Sequence, residues 1–109
     1  MTTRPAPDPK VIPAIAAVRT AAVRLRQVLA PSRVIRSDAL SAAFGVEVLF
    51  KLELENPTGS FKVRGAYNLL KQLDEAELRA GVVCSSAGNH AQGFALACRS
   101  MQVHVRVYV

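Results

Sequence analysis

Twice along this chain an apolar, β-branched stretch passes through a glycine-bearing turn into a helix-like stretch, and no other feature narrows the possible folds as much. The first instance runs from "VEVLFKLEL" (46–54) through "ENPTGSF" into "KVRGAYNLL"; the second runs from "VVCSS" (82–86) through "AGN" into "HAQGFALACRSM". Strands alternating with helices predict an α/β fold, with parallel pairing in open sheet pieces flanked by helices. Ligands of such folds collect at the carboxyl ends of the strands. The two turns are therefore where a site belongs. One delivers Lys62, the other Ser85, Ser86, Asn89 and His90.

Periodicity and punctuation place the remaining elements. Ile15, Val18, Ala22, Leu25 and Leu29 recur at helical spacing, and Pro31 stops that helix. "SRVIR" (32–36) is extended, and Ser37 caps a short helix, "DALSAAF", that Gly45 ends. Val63, Ala66, Tyr67 and Leu70 share one helical face. Asp74 and Glu77 have capping-box spacing, and Gly81 closes the helix they begin. Ala91, Phe94, Ala95 and Cys98 mark the buried face of the next helix, and "VHVRVYV" (103–109) alternates as a half-buried strand does. The proline-rich start, residues 1–12, has no apolar signal-peptide core and reads as a mobile arm. A crossover unit needs a further helix over its last strand, so the chain reads as stopping inside an unfinished fold.

The net charge of +6 raises nucleic acid as a partner. Its arginines, however, are scattered from Arg4 to Arg106, and both RNA-stacking aromatics and zinc-ligand spacings are lacking. The charge reads as a solvated basic surface, with no nucleic-acid partner and no metal. No apolar run approaches the roughly 20 residues that cross a bilayer, so no membrane is expected. Cys84 and Cys98 sit in apolar stretches and read as small buried groups, which fits a reducing cytoplasm.

Neither turn is a nucleotide fingerprint. Gly88 and Gly93 have P-loop spacing, but Phe94 and Ala95 stand where lysine and a hydroxyl residue are needed. "SSAGNH" instead offers backbone N–H groups at a helix N-terminus, which suits a carboxylate or phosphate. Lys62 suits covalent chemistry, because an amine held among apolar and cationic neighbours, here Phe61 and Arg64, attacks carbonyls. The alternative is an ordinary surface lysine. Its position weighs against that, since a cation at a helix start opposes the macrodipole.

Together, "KLELENPTGSFKVRGAYN" (51–68) and "SSAGNHAQG" (85–93) resemble the two hallmark segments of threonine ammonia-lyases, the threonine dehydratases. These are pyridoxal-phosphate enzymes of the tryptophan-synthase-β type (fold type II), related to serine dehydratases and serine racemases. The similarity extends from about Val18 to Val109. It implies that Lys62 carries the cofactor and then acts as general base, that Phe61 packs on the cofactor ring, and that Asn89 hydrogen-bonds its 3-hydroxyl. It further implies that Ser86, Ala87, Asn89 and His90 bind the substrate carboxylate, mostly through main-chain N–H groups. His90 either joins that task or only braces the loop. Arg64 is expected to pair with a carboxylate, and Thr58 and Ser60 to cap the helix.

The implied reaction is α,β-elimination of L-threonine or L-serine to a 2-oxo acid and ammonia, in a cytoplasmic homo-oligomer when full length. Serine racemases carry a serine two places before the loop asparagine; here that place holds Ala87, which favours the dehydratase. Asn56 stands where relatives often carry glutamine. Residues 13–80 then begin the larger, cofactor-binding domain, and residues 81–109 open the smaller one as β-α-β. The resemblance places the glycine-rich loop for the cofactor phosphate beyond the position of Val109. Alone, the chain is accordingly expected to be catalytically feeble. The other reading is an inactive remnant that at most docks with a complementing chain.

Overall fold

The structure, a computed structural model, describes residues 13–109; the arm expected at 1–12 lies outside the described residues. In chain order the elements are α1 (Ile15–Arg26), β1 (Val34–Arg36), α2 (Asp38–Phe44), β2 (Leu49–Lys51), a 3-10 turn (Glu53–Glu55), α3 (Lys62–Leu70), α4 (Glu75–Ala80), β3 (Val82–Ser85), α5 (Asn89–Ser100) and β4 (Val105–Tyr108).

The core is the seam between α3 and α5. From α3 it takes Val63, Ala66, Tyr67 and Leu70, as the heptad-like spacing requires. From α5 it takes Gly93, Phe94, Ala97 and Cys98, a face rotated from the expected Ala91, Phe94, Ala95 and Cys98. Gly93 explains the rotation. A Cβ built there would meet the backbone of α3 at Val63 N (2.7 Å), Val63 Cα (2.9 Å) and Lys62 C (3.0 Å). Only a glycine lets the two helices approach so closely, and Ala97, one turn on, continues the groove. Leu29 and Val103 close the core, and Cys84 and Cys98 are buried free thiols. Burial pushes the Cys98 thiol pKa up, and the neighbouring Cys84 adds to the shift.

β3 and β4 pair in parallel, from Val82 opposite Val105 to Ser85 opposite Tyr108, with α5 as the crossover. The first sheet departs from expectation, because β1 and β2 pair antiparallel. Here α2 is an insertion in a hairpin. Its seven residues end at Gly45, whose φ of 67° reverses the chain, and the Ser37 N–H donates to Val48 O (3.0 Å) directly beyond the ladder. The expected strand 46–54 also shortens to three residues, since the chain turns at Glu53 to bring that carboxylate to other elements. Similarly, α1 ends at Arg26, well ahead of Pro31, and its Ile15 and Val18 remain exposed. The hairpin leaves Phe44, Val46, Leu49 and Phe50 exposed as well.

Two glycine substitutions should act in opposite directions. Gly93→Ala gains about 1 kcal/mol of helix propensity but overpacks rigid backbone, at about 1–3 kcal/mol. A lowered urea midpoint is expected. Gly65→Ala, with open space around its Cβ, keeps the propensity gain alone and should raise the midpoint. Equal shifts would contradict the close approach.

Candidate active site

The first turn is built by "NPTG". The Gly59 N–H donates to Asn56 O (2.8 Å), Pro57 occupies the second position, and Gly59 takes a φ of 68°. The buried Ser60 hydroxyl then accepts from the Lys62 N–H (3.4 Å), a local contact within the turn; the N-cap of α3 is Phe61, so α3 has no side-chain cap and the expected cap by Ser60 is not formed. Thr58 does not cap: its hydroxyl is buried without a hydrogen-bond partner. Lys62 is the first residue of α3, exposed, with Nζ 4.9 Å from the centroid of the Phe61 ring. The ion pairs among the described residues leave Lys62 out. Its amine rests on an aromatic face instead.

Two residues further on, Arg64 pairs with Glu53 (Nε to Oε2, 2.7 Å), the expected carboxylate partner. Glu53 gathers more. It accepts from the Ser32 hydroxyl (2.6 Å), from the Asn56 side-chain amide (2.6 Å) and from the Lys51 ammonium (3.1 Å). Arg64 also donates to Ser32 Oγ and to Asn56 Oδ1 (3.4 Å). Both ends of the Asn56 amide are thereby used. Partial burial works to raise the Glu53 pKa, but the hydrogen bonds from Arg64, Ser32, Asn56 and Lys51 outweigh it and hold the carboxyl at about 2.

The second turn follows β3. The Ser86 N–H donates to Tyr108 O (3.0 Å) and its hydroxyl accepts from the Gly88 N–H (3.2 Å). The Ser86 N–H is thus taken by the continuation of the strand ladder, and the proton of its hydroxyl is the donor left for another group. α5 starts at Asn89 with no side-chain cap and no acidic residue in its first turn. Among the described residues, the N–H groups of Ala87, Asn89 and His90 have no acceptor. His90 leans its ring on Phe94, with centroids 5.7 Å apart.

Gly93 brings the two turns together. Asn89 lies one helical turn before Gly93 on the same face of α5, and a Cβ on Gly93 would collide with the Lys62–Val63 backbone. Lys62 opens α3 and Asn89 opens α5, and the contact between the two helices falls at the Lys62–Val63 backbone on one and at Gly93, a turn after Asn89, on the other. Two grooves of about 410 and 430 Å³ lie elsewhere, the first beside the 3-10 turn and the second along α1, and neither reaches Lys62 or Asn89. An exposed amine for an aldehyde and an aromatic face for a ring fit pyridoxal phosphate, and the unpaired N–H groups suit a carboxylate.

The profile of the family described as pyridoxal-phosphate dependent enzyme matches residues 25–109. The chain belongs to that family. Over its whole length it is 51% identical to the L-threonine dehydratase biosynthetic IlvA of Mycobacterium leprae, covering 26% of that protein. Over 82% of its length it is 58% identical to the corresponding Mycobacterium tuberculosis protein, covering 21% of it. The chain therefore spans roughly a quarter of the length of these curated relatives. Maize serine racemase superposes on 85% of the chain with a TM-score of 0.81 at 33% identity, using 29% of its own length. Threonine deaminase isoform 2 of Solanum lycopersicum superposes on 85% with a TM-score of 0.77 at 34% identity, using 26% of its length. The fold is that of the fold type II members of this pyridoxal-phosphate family.

The Glu53 pairing has a pH signature. The carboxyl titrates near 4.5 in an unfolded chain and at about 2 in the folded one, so its stabilisation is complete above the unfolded value. It is lost as pH falls towards 2. Glu53→Gln should cost about 2 kcal/mol at pH 7, and the gap should close near pH 2. Urea midpoints for both proteins across pH 2–7 test this; a constant gap would contradict it.

Proposed function

We propose that Lys62 is the cofactor-bearing lysine of an ammonia-lyase acting on L-threonine or L-serine. The observation that supports the reading is the close approach of Gly93, one turn into the uncapped helix α5, to the Lys62–Val63 backbone that opens α3. Pyridoxal phosphate, when bound, supplies an electron sink for the pair left behind by a departing Cα proton.

The chain's own residues supply the rest. Phe61 and Asn89 hold the ring, the first by its face and the second by its side-chain amide. The N–H groups of Ala87, Asn89 and His90, with the Ser86 hydroxyl, bind the substrate carboxylate at the positive end of α5. Once free, the Lys62 Nζ takes the Cα proton. Ala87 has no hydroxyl to return a proton to the opposite face, so elimination is favoured over racemisation. The names of the 51–58% identical relatives support threonine as substrate. In this reading residues 13–80 begin the larger domain and 81–109 open the smaller one, in a cytoplasmic, homo-oligomeric enzyme. No helix among the described residues is long and apolar enough to cross a membrane.

Incubation with pyridoxal phosphate, borohydride fixation and peptide mapping test the assignment. The adduct should sit on Lys62 and vanish in Lys62→Ala. Indistinguishable labelling of the two proteins would refute it.

A further inference from the structure

We infer that the clasp of Ser32, Glu53, Asn56 and Arg64 aims Lys62, with Arg64 and Glu53 as positioning residues. This rests on the reading of Lys62 as the cofactor-bearing lysine.

Asn56 precedes the turn that carries Phe61 and Lys62, and Arg64 follows it. The Arg64–Asn56 contact (3.4 Å) and their shared acceptor Glu53, 2.7 and 2.6 Å away, bind the two ends of that turn together. Ser32, on the segment before β1, donates to Glu53 and accepts from Arg64. On a helix, residues two apart project about 200° apart, so Arg64 reaches away from the side that presents Lys62. The first turn of α3 is therefore held from two sides. Arg64 is tied to Glu53 on one, and the Lys62–Val63 backbone rests on Gly93 on the other. Rolling α3 about its axis breaks one or the other. With the clasp gone, Gly93 is a pivot, and the Lys62 amine loses its fixed direction relative to Asn89. Lys51 also pairs with Glu53 (3.1 Å), but its exposed side chain comes from β2 and leaves the turn's ends unlinked.

The test uses the whole chain with pyridoxal phosphate. One readout is the share of borohydride-fixed adduct on Lys62 against Lys10, Lys51 and Lys71, and the other is the circular dichroism induced in the bound chromophore. Arg64→Leu and Glu53→Gln should lower the Lys62 share about tenfold and abolish the induced signal, with far-ultraviolet dichroism unchanged. Arg64→Lys should recover part of both. Arg33→Met, which breaks only the exposed pair with Glu55, should match wild type. Should Arg64→Leu and Glu53→Gln not fold, Ser32→Ala decides, with an expected loss of about threefold. A folded Arg64→Leu, Glu53→Gln or Ser32→Ala protein with the wild-type share and signal would overturn the role of the clasp while leaving Lys62 in place. A wild-type chain with no preference for Lys62 would overturn the assignment of Lys62 and this inference with it.

Discussion

A missing side chain organises this molecule. At Gly93, α5 lies on the peptide that joins Lys62 to Val63, nearer than any other residue would permit. Around that point the seam fills with Val63, Ala66, Tyr67 and Leu70 from one helix and Phe94, Ala97 and Cys98 from the other. The parallel pair β3–β4 then fixes where α5 begins, because the strand ladder runs on into the Ser86–Tyr108 bond. Packing and hydrogen bonding thus converge on the same few residues. The helix that Lys62 opens and the helix that Asn89 opens are thereby fixed against one another.

The helix ends are treated unequally, and the difference is informative. α2 has Ser37 as its cap, and α4 has a complete capping box between Asp74 and Glu77. These contacts each contribute about 1 kcal/mol. By contrast α5 begins uncapped at Asn89, and the first turn of α3 carries two cations and no acid. A chain shaped by stability alone would place an aspartate or serine at such positions. An open positive helix end is a place that suits an anionic group.

Much of this was legible in the residues. The stripe from Val63 to Leu70, the Asp74–Glu77 box, the glycine at 45 and the parallel β3–β4 unit follow from local rules that nothing in the tertiary structure opposes. The two turns between strand and helix were legible as well, through their glycines. What escaped was set by contacts distant in sequence. Strand propensity across 46–54 gave way to the pull of Arg64 and Ser32 on Glu53. The face of α5 turned towards its smallest residue, Gly93, whose importance lies in what it touches. Ser86 lost its N–H to a carbonyl 22 residues away, which no local pattern announces.

The amide at position 56 uses both its ends, one towards Glu53 and one towards Arg64, while Ser32 touches the same two partners. Such a closed ring has little tolerance for piecemeal drift. Lengthening one member by a methylene, as glutamine would at 56, shifts the acceptor away from both guanidinium and carboxylate unless another member retreats. A change at any of positions 32, 53, 56 and 64 is therefore felt at the other three, which makes them one mechanical unit spread over four places in the chain.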